Sequence, residues 1–75
     1  MEQGLRLTVN GKERDLNGLG VTATLANVLE ALALRADRIA VELNGELAPR
    51  TEWAQLAVSD GDKLEVVHFV GGGGD

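Results

Sequence analysis

Two Asn-Gly pairs, Asn10-Gly11 and Asn44-Gly45, each stand between stretches that alternate apolar and polar residues, and they limit the possible folds more than any other feature of the chain. A two-residue hairpin turn needs positive φ at both central positions, which asparagine tolerates and glycine adopts freely. Before the first pair, Leu5, Leu7 and Val9 fall on one face of a period-2 strand. Lys12 to Leu16 is expected to return beside it and to end at Asn17-Gly18 and Gly20. Before the second pair, Ile39, Val41 and Leu43 alternate in the same way. Glu46-Leu47-Ala48 then begins a short return strand that Pro49 stops, having no amide hydrogen to donate.

Between the hairpins the period changes. Leu25, Val28, Leu29 and Leu32 follow i, i+3, i+4, i+7 and predict an amphipathic helix from Leu25 to about Leu34. Thr24 stands at the N-cap, where its hydroxyl accepts from an otherwise unpaired amide. Asn27 occupies the place where a capping box uses Glu or Gln. Thr51 to Gln55 read as one irregular helical turn that tucks Trp53 against the core. Ser59-Asp60-Gly61-Asp62 reads as a tight turn, and Lys63 to Val70 as the last strand. The order of hairpin, helix, hairpin, turn and strand is an α+β arrangement, one sheet covered on one face by one helix. At 75 residues there is room for one domain, a body of residues 1–70, followed by a tail of residues 71–75.

Composition narrows the function. A 44% hydrophobic content with only Trp53 and Phe69 as aromatics calls for a compact aliphatic core and argues against disorder. Without cysteine there is no disulfide framework, thiolate nucleophile or Cys-based metal site, which fits a reducing cytoplasm. The longest apolar run, Ala31-Leu32-Ala33-Leu34, falls far short of the roughly 18 residues of a membrane helix, so no membrane partner is expected. A net charge of −5 with no basic stripe argues against nucleic acid. That charge serves solubility, or steers the protein toward a basic surface on a protein partner.

No catalytic constellation is visible. His68 is the lone histidine, without a nucleophile or carboxylate at a known spacing, and is read as structural, with partner contact as the alternative. Asp60 and Asp62 are explained by turn chemistry rather than as ligands, and Trp53 as a core anchor. The last strand breaks its own alternation, with Leu64 and Val66 on one face and Val67 and Phe69 on the other. Two readings follow: a bulge returns Val67 or Phe69 to the core, or an apolar patch with Val70 beside it forms a docking surface on the face away from the helix.

Four of the ten glycines, Gly71, Gly72, Gly73 and Gly74, fall in the final five residues. Composition alone leaves a linker remnant or frayed terminus open. A chain without Cβ atoms that follows directly on a strand is also suited to threading a carboxylate through a narrow channel, and five extended residues reach at most roughly 17 Å.

The segments Val41-Glu42-Leu43-Asn44-Gly45-Glu46, Pro49-Arg50 with Trp53 after it, Asp60-Gly61-Asp62 and Val66-Val67-His68-Phe69-Val70-Gly71-Gly72-Gly73, in this order and spacing, resemble the thiamine-biosynthesis sulfur carriers, the ThiS family. The resemblance implies a ubiquitin-like β-grasp fold, a mixed sheet of four to five strands under one helix with the first and last strands side by side. It also implies a protein that is not an enzyme, binds no cofactor and is a monomer when free. An E1-like adenylating enzyme would use ATP to adenylate the terminal glycine, a sulfur donor system would convert the adenylate to a thiocarboxylate, and thiazole synthase would consume it. The small subunit of molybdopterin synthase shares fold and glycine end, and a ubiquitin-like modifier or binding module is a further alternative; the Asn-Gly-Glu and His-Phe-Val-Gly segments favour thiamine. Asp75 departs from the pattern by following Gly74, so its removal is expected before activation, leaving Gly74 or Gly73 as the acyl carrier.

Overall fold

The computed structural model describes residues 4–20 and 23–69. Strand β1 (Leu5–Val9) turns through Asn10 and Gly11, at φ 51° and 84°, into β2 (Lys12–Leu16), and Val9 lies opposite Lys12. A two-residue strand, β3 (Ala23–Thr24), leads into helix α1 (Leu25–Ala31). The second hairpin joins β4 (Ile39–Leu43) to β5 (Glu46–Ala48) through Asn44 and Gly45, at φ 53° and 87°. A 3-10 turn (Arg50–Glu52), β6 (Ala57–Val58) and β7 (Lys63–His68) complete the described chain. Both Asn-Gly pairs therefore make the positive-φ turns expected of them.

The main sheet has the order β2-β1-β7-β4-β5, with β7 in its middle, parallel to β1 and antiparallel to β4. The first and last strands thus lie side by side. A second sheet of two short strands, β3 and β6, was not legible in the sequence. Two-residue strands carry too little alternation to show a period.

The core is aliphatic, as the composition requires. Leu5 and Leu7 of β1, Leu25 and Val28 of α1, Val41 of β4 and Leu64 of β7 are essentially inaccessible. Trp53 is buried with them, and its indole Nε1 donates to the Ala48 carbonyl at 2.7 Å. The loop that carries Trp53 also satisfies the start of the helix: the Ala26 amide donates to the Trp53 carbonyl and the Leu25 amide to the Leu56 carbonyl, both at 2.9 Å. The expected irregular turn at 51–55 is realised as the 3-10 turn Arg50–Glu52, one residue earlier.

Helix α1 starts as expected and stops early. Thr24 Oγ1 accepts from the Asn27 amide and Asn27 Oδ1 accepts from the Thr24 amide, each at 3.2 Å. Asn27 completes a capping box despite its shorter side chain, an arrangement in which the N-cap side chain alone contributes about 1 kcal/mol. The helix ends at Ala31, not near Leu34. Leu34 donates to the Leu29 carbonyl and Ala33 to the Glu30 carbonyl, both at 3.0 Å, and Ala33 sits at φ 60°. This pair of bonds is the Schellman closure, built on an alanine where glycine is usual, so no glycine marks the stop in the sequence. A left-handed alanine carries about 1–2 kcal/mol of strain, against a smaller entropic penalty for glycine. Ala33→Gly is accordingly expected to raise stability by about 0.5–1 kcal/mol, seen in urea unfolding as a higher midpoint at unchanged slope. A lower midpoint would show that the Ala33 methyl contributes more than its backbone strain.

Candidate functional site

The site is built around β7, because that strand leads to the glycine segment. Both hairpin turns grip it. At one end Asn44 Oδ1 accepts from the Lys63 amide at 3.0 Å, and Asn44 Nδ2 donates to Asp62 Oδ1 at 3.1 Å. Further along, the Val66 amide donates to Asn10 Oδ1 at 2.7 Å and Asn10 Nδ2 donates to the Val66 carbonyl at 3.1 Å. The Asn10 side chain thereby prolongs the ladder past the end of β1. Beyond the strand, the Phe69 amide donates to the Arg38 carbonyl at 2.8 Å. Backbone hydrogen bonding therefore holds the chain up to Phe69. Val70 and the glycines Gly71, Gly72, Gly73 and Gly74, named above as site residues, lie outside the described residues, as does Asp75.

The register of β7 against β4 removes the bulge reading of Val67 and Phe69. Ile39 opposes His68, Ala40 opposes Val67, Val41 opposes Val66, and the pairs continue without interruption to Leu43 and Leu64. There is no bulge. Leu64 and Val66 are buried toward the helix, while Val67 and Phe69 are each 60% exposed on the other face. The strand ends at His68, so the expected continuation to Val70 is not realised at Phe69.

Leu47 of β5, 69% exposed, belongs to the same apolar surface, and sequence reasoning missed it. The signal was available: Ala48 is buried, and alternation then turns Leu47 outward. With Val67 and Ala40 it borders a hollow of about 390 Å³. A neighbouring hollow of about 380 Å³ runs to Phe69 and Trp53. Glu42 and Glu65 stand directly opposite one another on this face. Like charges in that relation disfavour the sheet, so the pair is better suited to a cationic partner than to folding.

Asp60 and Asp62 behave as structural groups. Asp62 Oδ2 accepts from the Ser59 amide at 2.8 Å, which is turn chemistry, whereas Asp60 Oδ1 accepts from the distant Arg6 amide at 2.7 Å and so ties the turn to β1. Arg6 also pairs with Asp15 at 3.1 Å, and that carboxylate pushes the guanidinium pKa up. His68, read above as structural, is exposed at the end of β7 and is not a core histidine. Among the described residues no group of three or more His, Cys, Asp or Glu is placed to hold a metal ion, and no helix is long and apolar enough to cross a membrane.

The family model for the ThiS family matches residues 7–73 of this chain. The chain belongs to the ThiS family. Within it, the sulfur carrier protein ThiS of Bacillus subtilis is 34% identical over 67 residues, covering 89% of this chain and 98% of that protein. The solved ThiS structure from Geobacter metallireducens, a thiamine biosynthesis protein, superposes with a TM-score of 0.79 at 38% identity, covering 92% of this chain and 100% of that one. The fold is therefore the β-grasp. A thiazole synthase from Paramagnetospirillum magneticum is 42% identical over 71 residues, 95% of this chain. The ThiS-family chain spans about a fifth of the length of the thiazole synthases it matches.

Proposed function

We propose that this chain is a sulfur carrier of thiamine biosynthesis, with residues 1–70 as the recognised body and residues 71–75 as the working tail. The observation that carries the reading is the junction at Phe69. A strand in the middle of the sheet, gripped by both Asn-Gly turns and pinned at its end to Arg38, runs directly into a stretch of four glycines. Family membership supports it.

The chemistry explains why a carrier takes this form. A free carboxylate resists nucleophilic attack because it is already anionic. In the proposed cycle an oxygen of the glycine carboxylate attacks the α-phosphorus of ATP in the E1-like enzyme, and pyrophosphate leaves. The acyl adenylate now has a stable phosphate leaving group. Sulfide-level sulfur supplied by the donor system attacks the acyl carbon, the C–O bond to AMP breaks and AMP departs, and thiazole synthase consumes the resulting thiocarboxylate. The groups that manage the phosphate charge belong to the activating enzyme, since among the described residues none are clustered to hold a metal ion. The open face, with Val67, Phe69 and Leu47 beside the Glu42–Glu65 pair, is the surface on which such a partner rests while the tail enters it, Val70 lying next along the chain.

Asp75 adds side-chain bulk and negative charge after the acceptor glycine, so activation follows its removal. Mass spectrometry after incubation with ATP, a sulfur donor and the cognate activating enzyme tests this. The expected product is a thiocarboxylate on a chain ending at Gly74 or Gly73, and none on the chain that keeps Asp75. Product on the intact chain refutes trimming, and absence of product on all three overturns the carrier reading.

A further inference from the structure

Strand periodicity sorts the charges of β2. In Lys12-Glu13-Arg14-Asp15 successive side chains alternate faces. Lys12 and Arg14, opposite Val9 and Leu7, take the helix side, and Glu13 and Asp15 take the open side. On the open side Asp15 is neutralised by Arg6. On the helix side, among the described residues, neither Lys12 nor Arg14 has a carboxylate within ion-pair distance.

The helix does not cover this corner, because α1 stops at Ala31 and β2 is the outer strand of the sheet. What remains is a groove of about 310 Å³. Lys12 and Arg14 form one wall, Leu32 and Leu34 the other, with Val66 and His68 between them. Leu32 and Leu34 are only half-buried. In a chain of net charge −5, cations without an ion-pair partner among the described residues, facing half-covered leucines, contribute nothing evident to folding.

We propose that this groove docks an extended acidic peptide segment of a partner protein, one that alternates carboxylate and aliphatic side chains. The proposal is independent of the carrier role. An extended segment repeats every second residue, roughly 6.6 Å, the same rise that separates Lys12 from Arg14 on their strand. Its carboxylates then meet the β2 wall while its aliphatic side chains meet Leu32 and Leu34. A small anion fits less well, because Lys12, Arg14 and His68 are exposed and would leave most of it in water, whereas small-molecule sites enclose most of their ligand. The chain's own tail fits less well too: its glycines offer nothing to the leucines, and Asp75 is its one acidic side chain.

The test is an NMR titration of the isotope-labelled 75-residue chain with a synthetic Glu-Leu-Glu-Leu-Glu-Leu peptide, blocked at both ends. Saturable shifts centred on Lys12, Arg14, Leu34 and Val66 are expected. Binding should weaken roughly ten-fold or more in the Lys12→Glu, Arg14→Glu double variant. The Arg50→Glu, Lys63→Glu variant, with the same charge change elsewhere, should keep most of the affinity. Four results would each overturn the proposal: no saturable shifts, equal binding of the peptide with Gln in place of Glu, the same shifts from inorganic phosphate alone, or the same shifts on deleting residues 71–75 with no peptide added.

Discussion

Replacing Phe69 by alanine is expected to leave stability within about 0.5 kcal/mol and to weaken binding to the activating enzyme by about 2 kcal/mol, roughly 30-fold. The two halves of this expectation come from one geometric fact. Phe69 is 60% exposed on the open face, yet its amide is held by the Arg38 carbonyl, so the ring is displayed from an anchored backbone rather than packed in the core. An aromatic ring presented that way, next to Val67 and Leu47, has the character of an interface anchor. Urea unfolding and calorimetric titration separate the two effects. A stability loss of about 3–5 kcal/mol, typical of a buried phenylalanine, would return Phe69 to the core. Unchanged affinity at unchanged stability would remove the open face from the docking surface.

Trp53→Ala is expected to be the most destabilising single change, with a loss of about 3–5 kcal/mol. Small domains are only marginally stable, so much of the variant population should be unfolded at physiological temperature. Trp53 fills the space between β5 and the start of α1, and its indole is the hydrogen-bond donor to the Ala48 carbonyl. Its own carbonyl accepts from Ala26, which ties the loop to the helix. Trp53→Phe keeps an aromatic ring but leaves the Ala48 carbonyl without that donor, and should lose about 1–3 kcal/mol. Circular dichroism during urea unfolding measures both variants without relying on tryptophan emission. A loss below about 1 kcal/mol for Trp53→Ala would show that the cluster closes without it.

Most of the secondary structure was legible because each signal is local. Asn-Gly selects the turn, β1 and β4 show their inward face by alternation, and the stripe Leu25, Val28, Leu29, Leu32 marks a helix. The misreadings have equally local causes. Apolar Leu32 and Leu34 extend the apparent helix stripe to Leu34, and Ala33 gives no warning that it turns left-handed. The strands β3 and β6 were missed because two residues hold no period.

The candidate site was legible as far as its residue types. Val67 and Phe69 were seen to oppose Leu64 and Val66, but a bulge and an exposed patch predict the same alternation break. Only the unbroken pairing of β7 with β4 separates them. Leu47 joins them because β4, with its hairpin partner β5, lies beside β7, a neighbour relation that no stretch of sequence displays.

The turns, the helix start, the aliphatic core and the glycine segment are readable from the residues themselves, since each depends on the φ preference, hydrogen-bonding groups or periodicity of adjacent residues. What needed the folded chain is that β4 takes the other side of β7, that Asn10 and Asn44 each close hydrogen bonds onto it, and that the charges of β2 face a groove on one side and Arg6 on the other. These features arise from contacts between residues far apart in the chain. Their energy depends on which strands meet, and strand alternation specifies two faces without specifying which of them the helix will cover.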